Sequence, residues 1–393
     1  MLFILQAFAI FVIVQQKVSA LFCGIVQVMD EHNHMDTQHM ETNRKTSRNI
    51  TIMDVAKESG VSYSTVSRVL NGFDFVKEST REKVLAVAER LGYVANLQAR
   101  SLAGGKTRVI GLLVPGLDNG YIGEIVRGID EEVAKTNYDL MLYTTRRRVG
   151  REALYINAIS NNLSDGMILI VPLVAREYLE ALREHNFPYV LVDQADPLMR
   201  SVTVDCTNWQ GAYDATKYLI ELGHRRIAFV TGLKAIQSAV DRLEGYKAAL
   251  RDYDIALDET LVVEGDYVNP SGYQAAERLL QLSPRPTAIF ASNDLMALGA
   301  MQAILEQGLH IPQDISLIGF DDIPQASMVH PQLTTVRQPL DQMGRIAVRL
   351  LLDQIEQPET PELPERAARR VTLATRLIER ESCRVLSAEE MNQ

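Results

Sequence analysis

From Val109 onward, short β-rich runs alternate with amphipathic stretches, and no other feature of the chain restricts its fold as strongly. The runs are VIGLLVP (109–115), YDLMLY (138–143), GMILIV (166–171), YVLV (189–192), RIAFVT (226–231), LVVEG (261–265), TAIFAS (287–292) and ISLIGF (315–320). Between them lie stretches such as EIVRGIDEEVAK and WQGAYDATKYLIEL, with apolar residues at helical spacing. Short, continuously apolar strands suit a sheet buried on both faces, and helical connections return the chain parallel to its start. The pattern predicts an α/β fold of parallel sheets covered by helices. About 270 residues of it predict two doubly wound layers rather than one.

Residues 50–92 read differently, as three short capped helices. Thr51 and Asp54 have capping-box spacing, and the first helix should run to about Ser59 before a turn at Gly60-Val61. Ser62 caps a second helix, Tyr63 to Leu70, stopped by Asn71-Gly72. On it Val66, Val69 and Leu70 share one face, while Tyr63, Ser64, Ser67 and Arg68 lie off that face. A third helix is expected to be capped from Ser79, with Val84, Leu85, Ala88 and Leu91 inward and Gly92 as its stop. Two helices joined by a Gly-containing turn and braced by a third match a small all-α helix-turn-helix.

Charge supports that reading. The whole chain carries a net charge of −10, which argues against nucleic-acid binding by bulk charge. Yet residues 48–106 hold nine Lys/Arg against six Asp/Glu, while residues 107–393 hold 28 against 40. The acidic total hides a basic head. Cys23, Cys206 and Cys383 are odd in number and widely spaced, with no CxxC pair, so neither a disulfide framework nor a zinc site is expected and a reducing compartment is. No phosphate loop, GxSxG or HExxH occurs. His32 and His34 fall in a polar leader, and His224 precedes a strand in a structural setting. No enzymatic activity, cofactor or metal is expected.

The first residues, MLFILQAFAIFVIV, are apolar but shorter than the roughly 20 residues a spanning helix needs. Val18-Ser19-Ala20 has the small residues of a signal-peptide cleavage site, but no basic residue precedes the apolar run. The expectation is that translation begins at Met35 or Met40 and that residues 1–34 are not part of the native chain. A membrane tether that leaves the head in the cytoplasm is the alternative.

TIMDVAKESGVSYSTVSRVLNG followed by VKESTREKVLAVAERLGYVANLQARSLAGGKT resembles the DNA-binding head of the LacI/GalR family of transcriptional repressors. The resemblance continues through VIGLLVPGLDNGYIGEIVRGIDEEV, LIELGHRRIAFVTG, RLEGYKAAL, ASNDLMALGAMQAILEQGLHIPQDISLIGFDDIP, HPQLTTVRQPLDQMG and LIERESC, spanning about residues 50–383. It implies a leader at 1–49, a helix-turn-helix domain at 50–95 and a hinge helix at 96–106. It further implies an effector-binding and dimerisation domain like a type I periplasmic binding protein at 107–383, with two subdomains and three crossovers, and a tail at 384–393. The tail is too short for a heptad zipper, so a homodimer rather than a tetramer is expected.

The resemblance also implies site residues. Tyr63, Ser64 and Arg68 match positions that read bases, Thr51, Ser62 and Asn71 resemble contacts to the DNA backbone, and Ser67 is a further DNA-binding position. Asn96 and Ala99 fall in the hinge, with Leu102 as the wedge of the central minor-groove step. Ala95 stands where relatives often carry proline, and Gly104-Gly105 loosens the hinge end. Leu117, Asp118, Asn119, Tyr121, Asp193, Arg242, Tyr267, Asn293, Asp294, Asp321 and Gln338 match effector contacts. Carboxylates, amides and one arginine suit the paired hydroxyls of a sugar. The expected partners are a pseudo-palindromic double-stranded operator, a small sugar-like effector and a second copy of the chain, in the cytoplasm and without stable membrane association. An exported sugar-binding protein is the rival reading; a helix-turn-helix would be useless to it.

Overall fold

The computed structural model describes residues 50–70, 75–93, 106–117, 120–146, 148, 150–160, 163–172, 176–194, 196, 199–356 and 369–387. They fall into two compact units that divide between Ala95 and Asn96.

The first unit holds α1 (Ile52–Ser59), α2 (Tyr63–Leu70) and α3 (Glu78–Leu91). The Thr51 hydroxyl and Asp54 carboxylate form a reciprocal capping box, and Gly60 ends α1 in the left-handed region at φ 68°. The Ser62 hydroxyl accepts from the Thr65 backbone N–H at 3.2 Å, capping α2. Val55, Ala56, Val66, Val69, Val84, Val87 and Ala88 close a small core. Two expectations need correction. Helix α3 starts at Glu78 with Lys77 at its N-cap and no side-chain cap, so Ser79 lies inside the helix. Leu85 is exposed, and Val87 takes its place inside. The reason is angular: residues 84, 87, 88 and 91 follow one stripe of a 3.6-residue helix, and 85 lies about 100° off it.

The second unit contains two six-stranded sheets. The chain forms β1 (Val109–Val114), α4 (Gly120–Val133), β2 (Asp139–Thr144), α5 (Arg151–Ser160), β3 (Gly166–Ile170), α6 (Arg176–Glu184), β4 (Tyr189–Val192) and β5 (Val202–Cys206). It then forms α7 (Asn208–Glu221), β6 (Ile227–Thr231), α8 (Gln237–Asp252), β7 (Val262–Glu264), α9 (Asn269–Leu280), β8 (Ala288–Ala291), α10 (Asp294–Glu306), β9 (Ser316–Asp321) and β10 (Thr334–Arg337). Helix α11 (Leu340–Glu356), β11 (Arg370–Leu373) and β12 (Arg376–Ile378) follow.

The sheet orders are β11-β5-β4-β3-β1-β2 and β12-β10-β9-β8-β6-β7, with every pairing parallel except β10–β12. Each sheet has a core on both faces. In the first, Ile125 and Ile129 of α4 pack with Ala347 and Leu351 of α11 against one face, and Ile156, Leu179 and Leu182 pack against the other. In the second, α9 and α10 cover one face while α7 and α8 cover the other. The chain crosses between sheets three times, at 206–208, 337–340 and 373–376. Close approach fixes one helix pair: a Cβ on Gly128 of α4 would lie 2.0 Å from the Asp341 carbonyl oxygen of α11.

All eight β-rich runs form strands, within one or two residues at their ends. The four strands without such a run, β5, β10, β11 and β12, are the ones that lead into or out of the crossings. They are short and mix Thr, Asp and Arg with their apolar residues.

Candidate effector cleft and DNA-reading helix

In open parallel sheets ligands bind beyond the carboxyl ends of the strands. The cleft here is built from those ends of both sheets and encloses about 410 Å³, open solvent included. Pro115 follows β1, Val171 follows β3 and Asp193 follows β4, with Tyr121 and Ile122 from the start of α4. The opposite wall carries Ile236, Ser238 and Arg242 around α8, Tyr267 after β7, Asn293 after β8 and Asp321 at the end of β9.

Arg242 organises the polar floor and is 2% exposed. Its Nε donates to Asn208 Oδ1 at 2.8 Å, and its Nη1 donates to the Ser292 carbonyl at 2.5 Å and lies 3.7 Å from Asp321 Oδ1. Burial opposes the guanidinium's charge, but Tyr267, Asp321 and Asp193 outweigh it and hold the pKa above the ordinary value. Across the cleft, the Tyr121 hydroxyl donates to Asp193 Oδ2 at 2.7 Å. Burial pushes the Asp193 carboxyl up, against the opposing pull of Arg242 and the Tyr121 bond. Burial pushes Asp321 well up for the same reason, and Arg242 again opposes it.

Two observations mark the cleft as more than a packed seam. The Tyr267 hydroxyl is buried and makes no well-formed hydrogen bond, with Ser238 only weakly engaged, a cost that a bound polar group removes. Its pKa is pushed up to about 12 by that burial. Further, Val171, Asp193, Tyr267 and Asp321 adopt positive φ of 43°, 53°, 71° and 118°. Such backbone strain in non-glycine residues persists where the surroundings over-determine it, and it concentrates at ligand clamps.

Of the residues matched to effector contacts, Tyr121, Asp193, Arg242, Tyr267, Asn293 and Asp321 line this cleft. Asn293 is also the N-cap of α10, accepting from the Met296 N–H. Asp294 does not line it. Its carboxylate accepts from the Thr335 hydroxyl and the Ile323 N–H, and ties α10 to β10 and the loop after β9. Gln338 stands behind Asp321, and Leu117 is 57% exposed outside the lining. Asp118 and Asn119 lie outside the described residues. Ser238, Asn208 and the apolar wall of Ile122, Val171 and Ile236 were not read from the sequence. Asn208 follows β5, a strand whose alternating Thr and Asp concealed it.

On α2, the side chains of Tyr63, Ser64 and Arg68 are exposed, opposite the buried Val66 and Val69. Ser67 is half-buried. Thr51 and Ser62 spend their hydroxyls within the caps, Thr51 donating to Asp54 at 2.7 Å and Ser62 pairing with Ser64 and Thr65 at 2.8 Å. Asn71, Asn96, Ala99 and Leu102 lie outside the described residues. Among the described residues no group of His, Cys, Asp and Glu is placed to hold a metal, and no helix is long and apolar enough to cross a membrane.

A helix-turn-helix carrying an exposed polar face, with a two-sheet body holding a polar cleft, defines a ligand-controlled DNA-binding regulator. Residues 51–96 match the model of bacterial regulatory proteins of the lacI family, and residues 216–383 match a periplasmic binding protein-like domain. The chain is 40% identical over 306 residues to catabolite control protein A of Priestia megaterium, covering 77% of this chain and 92% of that one. The lac repressor dimer bound to operator and the anti-inducer ONPF superposes with a TM-score of 0.74 at 30% identity, over 86% of this chain and all of that one. The transcriptional regulator CelR in complex with cellobiose superposes at 0.65 with 34% identity, over 85% and 99%. The chain belongs to the LacI family. It is a sequence-specific DNA-binding repressor under small-molecule control, not an enzyme, and the exported-protein reading is set aside.

Proposed function

We propose that the chain works in the cytoplasm as a homodimer that reads a pseudo-palindromic operator and releases or grips it when a neutral sugar occupies the cleft. The head contributes Tyr63, Ser64 and Arg68 to base edges. An Arg can take guanine O6 and N7 together, worth about 1–3 kcal/mol of discrimination. Thr51, Ser62 and Asn71 are assigned to the phosphates, where positioning rather than readout is needed, the first two through the helix N-termini they cap. The hinge at 96–106 is assigned to the minor groove, with Asn96 and Ala99 as its contacts and Leu102 as its wedge.

The observation that carries the sugar reading is the arrangement of Asp193 and Asp321 on opposite walls around Arg242, beside the unmatched Tyr267 hydroxyl. The two carboxyl groups can each bond paired hydroxyls, and the guanidinium between them is already engaged by Asn208 and the Ser292 carbonyl rather than free to take a phosphate or carboxylate. The apolar wall of Pro115, Ile122, Val171 and Ile236 suits the C–H face of a pyranose or furanose. Binding across the cleft favours one angle between the two sheets, and the operator responds through a coupling of about 1–3 kcal/mol.

A thermal-shift screen of the purified chain tests this. A sugar at 100 times its Kd stabilises the protein by about 2.7 kcal/mol. Neutral sugars should supply the hits. A panel in which only phosphorylated or uronic acids shift the transition would overturn the reading.

A further inference from the structure

We infer that Gln338 is a positioning residue that latches the cleft carboxylate Asp321 to the crossings between the two sheets, with the Cys206 thiol as its counterpart on the first crossing. Its role in the effector response rests on the reading of the cleft given above. Gln338 is buried and stands at the second crossing, between β10 and α11, without lining the cleft. Its side-chain amide is used at both ends: Nε2 donates to Asp321 Oδ1 at 2.6 Å, and Oε1 accepts from Cys206 Sγ at 2.8 Å. Its backbone N–H also donates to the Asp321 carbonyl at 3.2 Å. Asp321 is thus gripped twice by one residue, and it is a residue at φ 118° that needs such support.

Cys206 ends β5 and opens the first crossing, so the amide joins two crossing segments 132 positions apart in sequence. The first crossing is bound in turn to the third, where the Thr207 hydroxyl lies 2.8 Å from that of Thr375 and accepts from the Thr375 N–H at 2.9 Å. All three crossings are therefore laced together, and one of the lacings reaches the cleft. Polarity runs one way along it. The carboxyl oxygen takes the amide N–H, which leaves the amide oxygen to the thiol proton. Burial holds the thiol well above its ordinary pKa, keeping that proton in place. A thiol is a weak donor, so the thiol–amide bond is the link that yields first when Asp321 is drawn toward a ligand hydroxyl. Hinges change through a few residues at such element ends.

The test uses the full chain with Cys23→Ser and Cys383→Ser, which leaves Cys206 as its one thiol. Labelling by a small aromatic disulfide reagent (DTNB) then reads how often the crossing region opens, with no ligand required. Gln338→Met, which keeps length and apolar bulk but removes the amide, should raise the labelling rate on the order of tenfold while the urea midpoint stays near the parent's. Gln338→Asn, one methylene too short to reach both partners, should do the same and serves if the first variant folds poorly. Unchanged rates in both variants would overturn the latch, as would increases no larger than the loss of global stability accounts for. Cellobiose and ribose form a separate arm. A bound sugar, detected by thermal shift, should alter labelling of the parent and leave the Gln338→Met rate unmoved. If neither sugar binds, the sugar reading suffers, and the ligand-free rates still decide the latch.

Discussion

The guanidinium of Arg242 lies over the ring of Phe320, with its central carbon 3.8 Å from the ring centroid. A planar cation stacks there while its edge donates to Asn208 and to the Ser292 carbonyl, so the side chain is fixed on a face and along an edge. Lysine keeps the charge and loses both the stacking plane and the fork. Arg242→Lys should therefore abolish the thermal shift produced by an effector sugar while leaving operator binding intact. Arg242→Ala should in addition cost about 3–5 kcal/mol of stability, because it removes the guanidinium that offsets the burial of Asp193 and Asp321. Urea unfolding and a parallel sugar titration measure both effects. A normal sugar shift in Arg242→Lys would remove Arg242 from the binding site.

Arg68 is exposed on the face of α2 opposite its buried valines. Arg68→Ala should weaken specific operator binding by about 1–3 kcal/mol and weaken non-specific duplex binding by no more than the loss of one charge. Mobility-shift titrations on operator and scrambled duplexes, at one fixed salt concentration, compare the two. Equal losses on both would mean that Arg68 touches phosphate rather than base.

Asp294 provides a pH signature. It is fully buried, and burial raises its carboxyl to about 7, against the bonds from Thr335 and Ile323. The folded state thus holds a proton that the unfolded chain releases near the ordinary aspartate value of about 4. This group's contribution to stability is present below that value and is lost as pH rises through about 7. Stability of the parent, measured by urea unfolding from pH 4 to pH 7, should fall with pH more steeply than that of Asp294→Asn. Identical slopes would contradict the assignment of a protonated, structural Asp294.

The head was legible because its signals are local. The capping box of Thr51 and Asp54 and the stops at Gly60 and Gly92 are set by neighbours three or four residues apart. Leu85 escaped because a run of apolar residues in α3 offers two adjacent stripes, and the facing helices choose between them. In the body, strands buried on both faces announced themselves as apolar runs. Strand β5, with Thr203 and Asp205, did not, since Arg370 from the distant β11 pairs with that aspartate at 2.6 Å. The cleft was legible residue by residue only through family likeness. No spacing in the sequence links Asp193 to Arg242 and Asp321, which meet because the ends of β4 and β9 converge on helix α8. Nor does the sequence distinguish Asp321, which faces the cleft, from Asp294, which supports it from behind. The left-handed backbone of Asp193, Tyr267 and Asp321 is likewise a product of tertiary packing in residues that rarely adopt it.

The central claim is that this chain selects a DNA sequence and that its cleft governs the selection. The direct measurement is enrichment of duplexes from a random library by the purified full-length protein, repeated with and without a neutral sugar found in the thermal-shift screen. The expected product is a pseudo-palindrome with half-sites about one helical turn apart, bound with an affinity that the sugar changes by roughly fivefold or more. A library from which no sequence is enriched, or an enriched sequence whose affinity no cleft-binding sugar alters, would contradict it.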